Sequence, residues 1–454
     1  MAKHKPASSQ RAAADPARLM AFDLLRRING QRAYANLALS QALSQAGWSG
    51  QQAGLVTELV AGTCRRQGSY DAIIERAGGR SLKTFQPAVL DLLRLGCHHV
   101  LGLRLPSPIA VTTSVDLAAA TVGPRVTGLV NAILRRVAEY SLADWLDLLA
   151  AGQPPLDALA IRTSHPRWIT EVYVDHLGLN EAALALAANN EPPRTCLAIR
   201  PGLATAAELI ETGGQPGQWV PTAVYWPGDP GQSALVQTGR AGVEDEGSQV
   251  VAEIFADLEA PAGLWLDLCA GPGGKTALLA GWARQRGDDL VASEISPGRA
   301  GLVRANLRAY DNPPPVIVAD GRQPPWPPAS FARVLVDAPC TGLGALRRRP
   351  EARWRKQPSD LADLVPQQQA LVLSAVNLLQ PGGVAAYVTC SPHPAETSAV
   401  VEAVLAEVGG EVQLEAVTPP RSLPEATAGP YLQLWPHRHG TDAMFCALLR
   451  RTSR

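Results

Sequence analysis

No run of eighteen apolar residues occurs in the 454 positions, so a membrane-spanning helix is not expected. The first residues, with Lys3, Lys5 and Arg11 among Ala and Ser, lack the apolar segment of a secretory signal, and export is not expected either. There is no CxxC pair. The seven cysteines (Cys64, Cys97, Cys196, Cys269, Cys340, Cys390 and Cys446) are odd in number and widely scattered, which argues against zinc, or any metal, and against a redox couple. They read as thiols of a cytoplasmic protein. Net charge is also lacking: 41 basic residues balance 41 acidic ones, which excludes a uniformly basic nucleic-acid binder and leaves local basic patches open.

What is present is a chain long and apolar enough, at 46% hydrophobic residues, for two or three domains with separate cores. Its centre of gravity is the stretch Leu264-Trp265-Leu266-Asp267-Leu268-Cys269-Ala270-Gly271-Pro272-Gly273-Gly274-Lys275-Thr276, in which strand-like residues run into a glycine-rich turn. Small residues there let the backbone approach a ligand, and the amides of a following Thr276–Trp282 helix can face it. The spacing is neither the GxxxxGK[ST] of a nucleoside-triphosphate loop nor the GxGxxG that cradles a pyrophosphate, so a ligand without a phosphate tail fits better.

Residues 1–14 form a basic tail with little that could pack, and disorder is expected. Asp15-Pro16 supplies a cap and a first-turn proline for a helix carrying Leu19, Phe22 and Ile28 at helical spacing. Helical periodicity returns over 55–64, 88–103 and 114–137, predicting an all-α bundle over 15–140. Residues 141–235 are mixed and Pro/Gly-rich, predicting a small α+β connecting domain in which His165, beside a proline, reads as a turn residue. From 236 to 454 short apolar strands alternate with helices, the signature of an α/β domain with a mostly parallel sheet covered on both faces. The expected strands are Leu264–Leu268, Leu290–Ser293, Pro315–Ala319, Val334–Asp337 and Val384–Thr389.

In such a sheet the ligand sits at the carboxyl ends of the strands. Glu294 follows the second strand, Asp320 the third and Asp337 the fourth, so three carboxylates converge on the edge that holds the glycine turn. Glu294, about twenty residues beyond the turn, is placed to accept from a ribose diol, and Asp320 could accept from an adenine amine. Each could also be an ordinary helix cap. A nucleoside without phosphate points to S-adenosylmethionine. Asp337-Ala338-Pro339-Cys340 and Thr389-Cys390-Ser391-Pro392 put two thiols on the same edge. A thiolate added at C6 of a pyrimidine makes C5 nucleophilic toward a methyl donor, and a second thiol or a carboxylate can then act as base. The chemistry alone leaves open which cysteine attacks. Arg347, Arg348, Arg349, Arg353, Arg355 and Lys356, interleaved with Trp354, are expected to contact phosphates and stack on an extruded base.

The run Asp337–Cys340 followed by Arg347-Arg348-Arg349-Pro350-Glu351, with Thr389-Cys390-Ser391 and Cys269–Lys275, resembles the Sun-type RNA cytosine-5 methyltransferases. The segment 242–249 resembles what precedes the first strand in that family. Leu90-Leu92-Leu93-Arg94-Leu95-Gly96, Pro108-Ile109-Ala110-Val111 and Val130–Arg136 resemble a NusB-like RNA-binding helical domain. The resemblance implies a Rossmann-like methyltransferase domain, S-adenosylmethionine held by Cys269, Ala270, Gly271, Pro272, Gly273, Gly274, Lys275, Glu294, Asp320 and Asp337, and Asp337 also near the target base. It makes Cys390 the nucleophile and Cys340 the residue that assists release, whereas DNA cytosine methyltransferases attack with the Pro-Cys thiol. With the helical module in front, small-subunit ribosomal RNA is the implied partner and a monomer is expected; transfer RNA, or an idle RNA-binding assembly or antitermination factor, are the alternatives. Glu294 stands where the family more often has Asp, Pro392-His393-Pro394 is unusually stiff, and Ala443-Met444 replaces Gly-Phe.

Overall fold

The computed structural model describes residues 14–103, 105–419, 423 and 425–452, so of the basic tail read over 1–14 only Ala14 lies within the described residues. Two compact units emerge: one runs to Glu171 and includes Arg349–Trp354, and the other comprises Val172–Arg348 and Arg355 onward.

The first unit is all helical. Its opening helix, Pro16–Gln31, has Pro16 in the first turn and Asp15 accepting from the Arg18 amide, and it buries Phe22, Leu25 and Ile28. Gly50–Arg65, Gln67–Gly78, Pro87–Cys97, Ser107–Thr121 and Thr127–Val137 close around it, with Leu59, Tyr70, Ile73, Leu92, Leu93 and Leu134 in one core. Two expected helices differ in detail. The one read over 88–103 widens into a π-helical turn at His98–Gly102, where His98 Nδ1 meets Tyr70 Oη at 2.9 Å and His99 Nδ1 meets Ser114 Oγ at 2.9 Å. The one read over 114–137 breaks at Gly123-Pro124. Leu142–Ala150, started by a Ser141/Asp144 capping box, and Pro155–Thr163 belong to the same compact unit, which therefore extends beyond the expected boundary at 140.

The second unit opens with a four-stranded antiparallel sheet ordered Gln215–Pro216, Ala223–Tyr225, Cys196–Ile199, Ala241–Val243. The large sheet follows. Val316–Ile317, Leu290–Ser293, Trp265–Asp267, Phe331–Asp337 and Leu379–Thr389 lie side by side in that order and all parallel. Phe445–Arg451 then adds antiparallel to Leu379–Thr389 and carries Tyr431–Gln433 and Val412–Glu415. Side chains alternate between two cores, as successive positions on a strand must. Leu266, Val334, Val336, Ala385 and Tyr387 face helices Leu361–Leu378 and Ser398–Val408, while Trp265, Leu335, Ala386 and Val388 face helices Glu246–Asp257, Gly274–Arg286 and Pro297–Leu307. This is the doubly covered, mostly parallel Rossmann-like domain that the apolar strand runs predict. The strand read as Pro315–Ala319 is shorter than expected because it lies at the sheet edge, with Ile317 and Val318 exposed.

Candidate active site

The Trp265–Asp267 strand delivers the chain to the glycine turn, and helix Gly274–Arg286 leaves it, starting two residues earlier than expected. Gly273 caps that helix at φ 106°, a backbone conformation that suits glycine. At Gly271 a Cβ would sit 2.3 Å from Glu294 Oε2, so any side chain there would have to push that carboxylate aside. Glu294, 2% exposed, accepts from the amides of Gly271 (3.1 Å) and Ser296 (2.9 Å) and pairs with Arg299 (3.3 Å). It braces the turn and holds the amide of Ser296, the residue whose hydroxyl caps helix Pro297–Leu307. Asp320 lies at the third strand's end but takes Arg322 side on, Nη2 to Oδ2 at 2.7 Å, which holds its carboxyl below the usual range.

Asp337 ends the fourth strand and accepts from Lys275 Nζ at 2.9 Å. Burial opposes the Lys275 charge, but the carboxylates of Asp337 and Glu244 outweigh it and raise the ammonium above its ordinary range. Burial pushes Glu244 up to about 7 and Asp267 up to about 7, the latter partly offset by the Thr276 hydroxyl that donates to it at 2.7 Å. Cys269, at the entry to the turn, is also raised by burial.

The two cysteines meet. Cys340 Sγ and Cys390 Sγ lie 3.5 Å apart, both partly exposed. Their hydrogen bond, together with burial, raises the Cys340 thiol. Cys390 lies within electrostatic reach of Lys275 and Arg348. The loops that carry the thiols are stitched together at Gly344, whose N–H donates to the Cys390 carbonyl (2.9 Å) and whose carbonyl accepts from Ala443 N–H (3.0 Å). A Cβ there would lie 2.1 Å from the Ala443 oxygen, so the stitch requires glycine. Ala443 and Met444, the family departures, are fully packed.

The arginine run needs correction. Arg353 has 0% exposure and donates to the carbonyls of Arg65 (3.3 Å) and Ser164 (3.2 Å), while the half-buried Trp354 donates from Nε1 to Cys64 O (2.8 Å); both are tied into the helical unit. Arg347 is buried and donates to Gly440 O at 2.8 Å. These side chains are committed to backbone carbonyls and are not presented to phosphate. Arg348 keeps a half-exposed side chain while Asp442, fully buried, accepts from its Nε at 2.8 Å. Arg349 is exposed and stacks 5.7 Å over Tyr34, and Arg355 is half-buried. His165 is a buried turn residue with Nδ1 on Thr163 O at 2.8 Å, and His393 accepts the Ala395 amide at 3.1 Å within its loop. Among the described residues no group of His, Cys, Asp and Glu could hold a metal, and no helix is long and apolar enough to cross a membrane.

Glu244, Glu396 and Tyr173 do not stand out as site residues in the sequence. Glu244 was visible only as part of the 242–249 segment, and nothing in the sequence marks Tyr173, which donates to Leu343 O at 3.0 Å. Glu396 could have been suspected from its place six residues beyond Cys390.

Comparison with known proteins is consistent across the chain. Residues 258–450 match the family described as 16S rRNA methyltransferase RsmB/F, and residues 15–139 match the NusB family. A candidate methyltransferase of Mycobacterium tuberculosis is 47% identical over 96% of this chain and 97% of its own length. A probable ribosomal RNA small subunit methyltransferase B of Synechocystis is 30% identical over 96% of this chain and 99% of its own. The crystal structure of the protein PH0851 superposes with a TM-score of 0.80 at 22% identity, covering 97% of this chain and 100% of that one, a likeness of fold.

Proposed function

Because the chain belongs to the RsmB/F family of S-adenosylmethionine-dependent ribosomal RNA methyltransferases, we propose that it methylates C5 of a cytosine in small-subunit ribosomal RNA through a covalent adduct of Cys390. The observation that carries this reading is the 3.5 Å separation of Cys340 and Cys390 beside the Lys275–Asp337 pair at the strand ends.

The glycine turn and the acidic edge fit the cofactor: the backbone at Gly271 and Gly273 leaves no room for side chains, and Glu294, Asp320 and Asp337 offer acceptors but no phosphate cradle. In this reading Cys269, Ala270, Gly271, Pro272, Gly273, Gly274 and Lys275 form its bed, Glu294 and Asp320 take its hydroxyl and amine groups, and Asp337 borders both cofactor and base. S-adenosylmethionine, when bound, supplies an electrophilic methyl group.

The chain's own residues do the rest. Lys275 and Arg348 favour the thiolate of Cys390, which adds to C6 and makes C5 nucleophilic. Cys340, kept as a thiol, does not compete for C6. Once C5 carries both hydrogen and methyl, Cys340 returns a proton to the departing Cys390 sulfur and its own thiolate accepts the C5 hydrogen. The C6–S bond breaks, the ring regains its double bond, and the proton lost from C5 remains on the thiol pair until water takes it. A base must leave the stack to reach both sulfur and methyl, as base-modifying enzymes require. Arg348 and Arg349 remain as candidate RNA contacts, and the protein acts in the cytoplasm as a monomer.

The test is methylation of purified small-subunit RNA and transfer RNA side by side, with mapping of the modified base. We expect 5-methylcytosine in the ribosomal substrate, none after Cys390→Ala, and a covalent protein–RNA adduct that accumulates with Cys340→Ala. An adduct formed by Cys390→Ala would reverse the two roles. Methylation of transfer RNA alone would change the substrate, and no transfer to any RNA would leave an RNA-binding assembly factor.

A further inference from the structure

Each of the paired cysteines is followed by a hydroxyl residue, Thr341 after Cys340 and Ser391 after Cys390, and both hydroxyls turn away from the sulfurs toward one carboxylate. That carboxylate is Glu396, at 0% exposure in the short turn Pro394–Glu396. Its Oε1 accepts from the Thr341 amide at 2.8 Å and from Gln368 Nε2 at 3.1 Å. Its Oε2 accepts from Ser391 Oγ at 2.6 Å and from Thr341 Oγ1. Gln368 reaches back to the Pro339 carbonyl at 2.9 Å, and Tyr387 Oη donates to the Glu396 carbonyl at 2.7 Å, fixing the backbone that presents the carboxylate.

All four contacts are donations into the carboxylate, the pattern an ionised group accepts. Taking a carboxylate out of water costs several kcal/mol unless its oxygens are satisfied, and a hydrophobic filler would close the same space without that cost. What a filler could not do is hold the residue after one cysteine and the residue after the other with two oxygens of one rigid group. We infer that Glu396 is a positioning residue that sets the separation of the Cys340 and Cys390 sulfurs by clamping both loops from behind. The inference rests on the paired-cysteine reading above for its consequence in catalysis, but the clamp itself is a matter of geometry. The Glu396 charge also adds to the influences that keep Cys340 a thiol, after the Cys390 hydrogen bond and burial.

The sulfur separation can be read without catalysis. Diamide, an azo oxidant, is reduced to its hydrazine as two thiols become a disulfide, and a pair already in contact closes quickly. In the full-length protein, peptide mass spectrometry should show Cys340–Cys390 closure slowed about tenfold or more by Glu396→Ala and less by Glu396→Gln, which keeps an acceptor oxygen. Thr341→Val and Ser391→Ala, which trim one hydroxyl each, should slow closure by smaller factors and guard against a Glu396 variant that fails to fold. With RNA, Glu396→Ala should lower kcat by about 10²-fold at an unchanged KM for S-adenosylmethionine, with partial recovery in Glu396→Gln. Wild-type closure rates in Glu396→Gln and both hydroxyl variants would overturn the clamp, as would a Glu396→Ala loss that falls on KM with closure intact. Failure of Cys340→Ala, with Glu396 in place, to form any RNA adduct would instead sink the covalent reading and leave the clamp to the thiol measurement.

Discussion

Cysteine plays opposite parts in the two units. In the helical unit Cys64 and Cys97 are both 0% exposed among aliphatic side chains, and burial raises the Cys97 thiol far above its ordinary range. In the second unit Cys340 and Cys390 sit partly exposed at neighbouring strand ends, sulfur against sulfur, with Lys275 and Arg348 in reach. Thiolate, not thiol, is the nucleophile, and an apolar helix interior suppresses it while cations at a strand end promote it. Arginine divides the same way: Arg353 is sunk in the helical unit against carbonyls, whereas Arg348 keeps an exposed stem beside the cysteine pair. Residue type alone therefore says little. The end of a parallel strand is where a polar side chain can be held and still be reached.

The largest expected effect would break this contrast outright. Cys390→Ala should cost methyl transfer about 10⁴-fold or more, the scale on which a covalent nucleophile is lost, with little change in melting temperature. Cys64→Ala should do the reverse, leaving kcat in place and costing about 1–2 kcal/mol of stability through the small cavity it opens. Measured turnover and thermal melts of the two variants check both halves; a Cys64 variant that loses turnover without losing stability would erase the distinction.

The arginines give the next effect. Arg353→Ala should destabilise the helical unit by about 2–4 kcal/mol, because the Arg65 and Ser164 carbonyls lose a buried donor and a large side-chain volume empties. Arg349→Ala, which removes an exposed side chain stacked over Tyr34, should leave stability nearly intact and raise the KM for RNA at least severalfold. Denaturant titration and RNA kinetics separate them. An Arg353 variant as stable as the parent but weakened toward RNA would restore the phosphate-contact expectation that burial removes.

That expectation shows where the sequence is legible and where it is not. Strands buried on both faces declare themselves by unbroken apolar runs, and Leu290–Ser293 is found with the bounds read for it. The edge strand does not, because Val316–Ile317 needs little apolar length to pair on one side. The glycine turn is readable because a side chain at 271 would displace Glu294 and because Gly273 takes a positive φ against the Val303 backbone. The convergence of Cys340 and Cys390 follows from their both ending adjacent parallel strands, which periodicity can predict. The fate of Arg353 and Trp354 cannot be predicted so, since a charged, aromatic, proline-flanked run looks solvated and its burial depends on carbonyls nearly two hundred or more positions away. Glu396 escapes for the same reason: its partners at 341, 368 and 391 are brought to it only by the fold. The antiparallel Phe445–Arg451 strand is equally hard to read, being buried along most of its length yet joined in the opposite sense to the parallel set.

The smallest effect sharpens the contrast through pH. Asp267, 1% exposed, has its carboxyl raised from 3.8 to about 7 by burial, so between those values the folded protein holds a proton that the unfolded chain has lost. Its contribution to stability is complete below about pH 4 and disappears as pH rises through about 7. Glu244, raised to about 7, adds to the same window. The cofactor-free protein should therefore melt progressively lower between pH 5 and pH 8, by a few degrees, corresponding to on the order of 2 kcal/mol. Asp267→Asn keeps an oxygen for the Thr276 hydroxyl and removes the titration, so its melting curve should flatten across that range while retaining the residual slope of Glu244. His99 in the helical unit gives the opposite sign: burial lowers it from 6.5 to about 3, so its contribution is complete above about pH 6.5 and is lost as pH falls from there toward 3, equally in the parent and in Asp267→Asn. Parallel melting profiles for Asp267→Asn and the parent from pH 5 to 8 would show that Asp267 is ionised in the fold, and that the acidic strand end is no harder to charge than the surface.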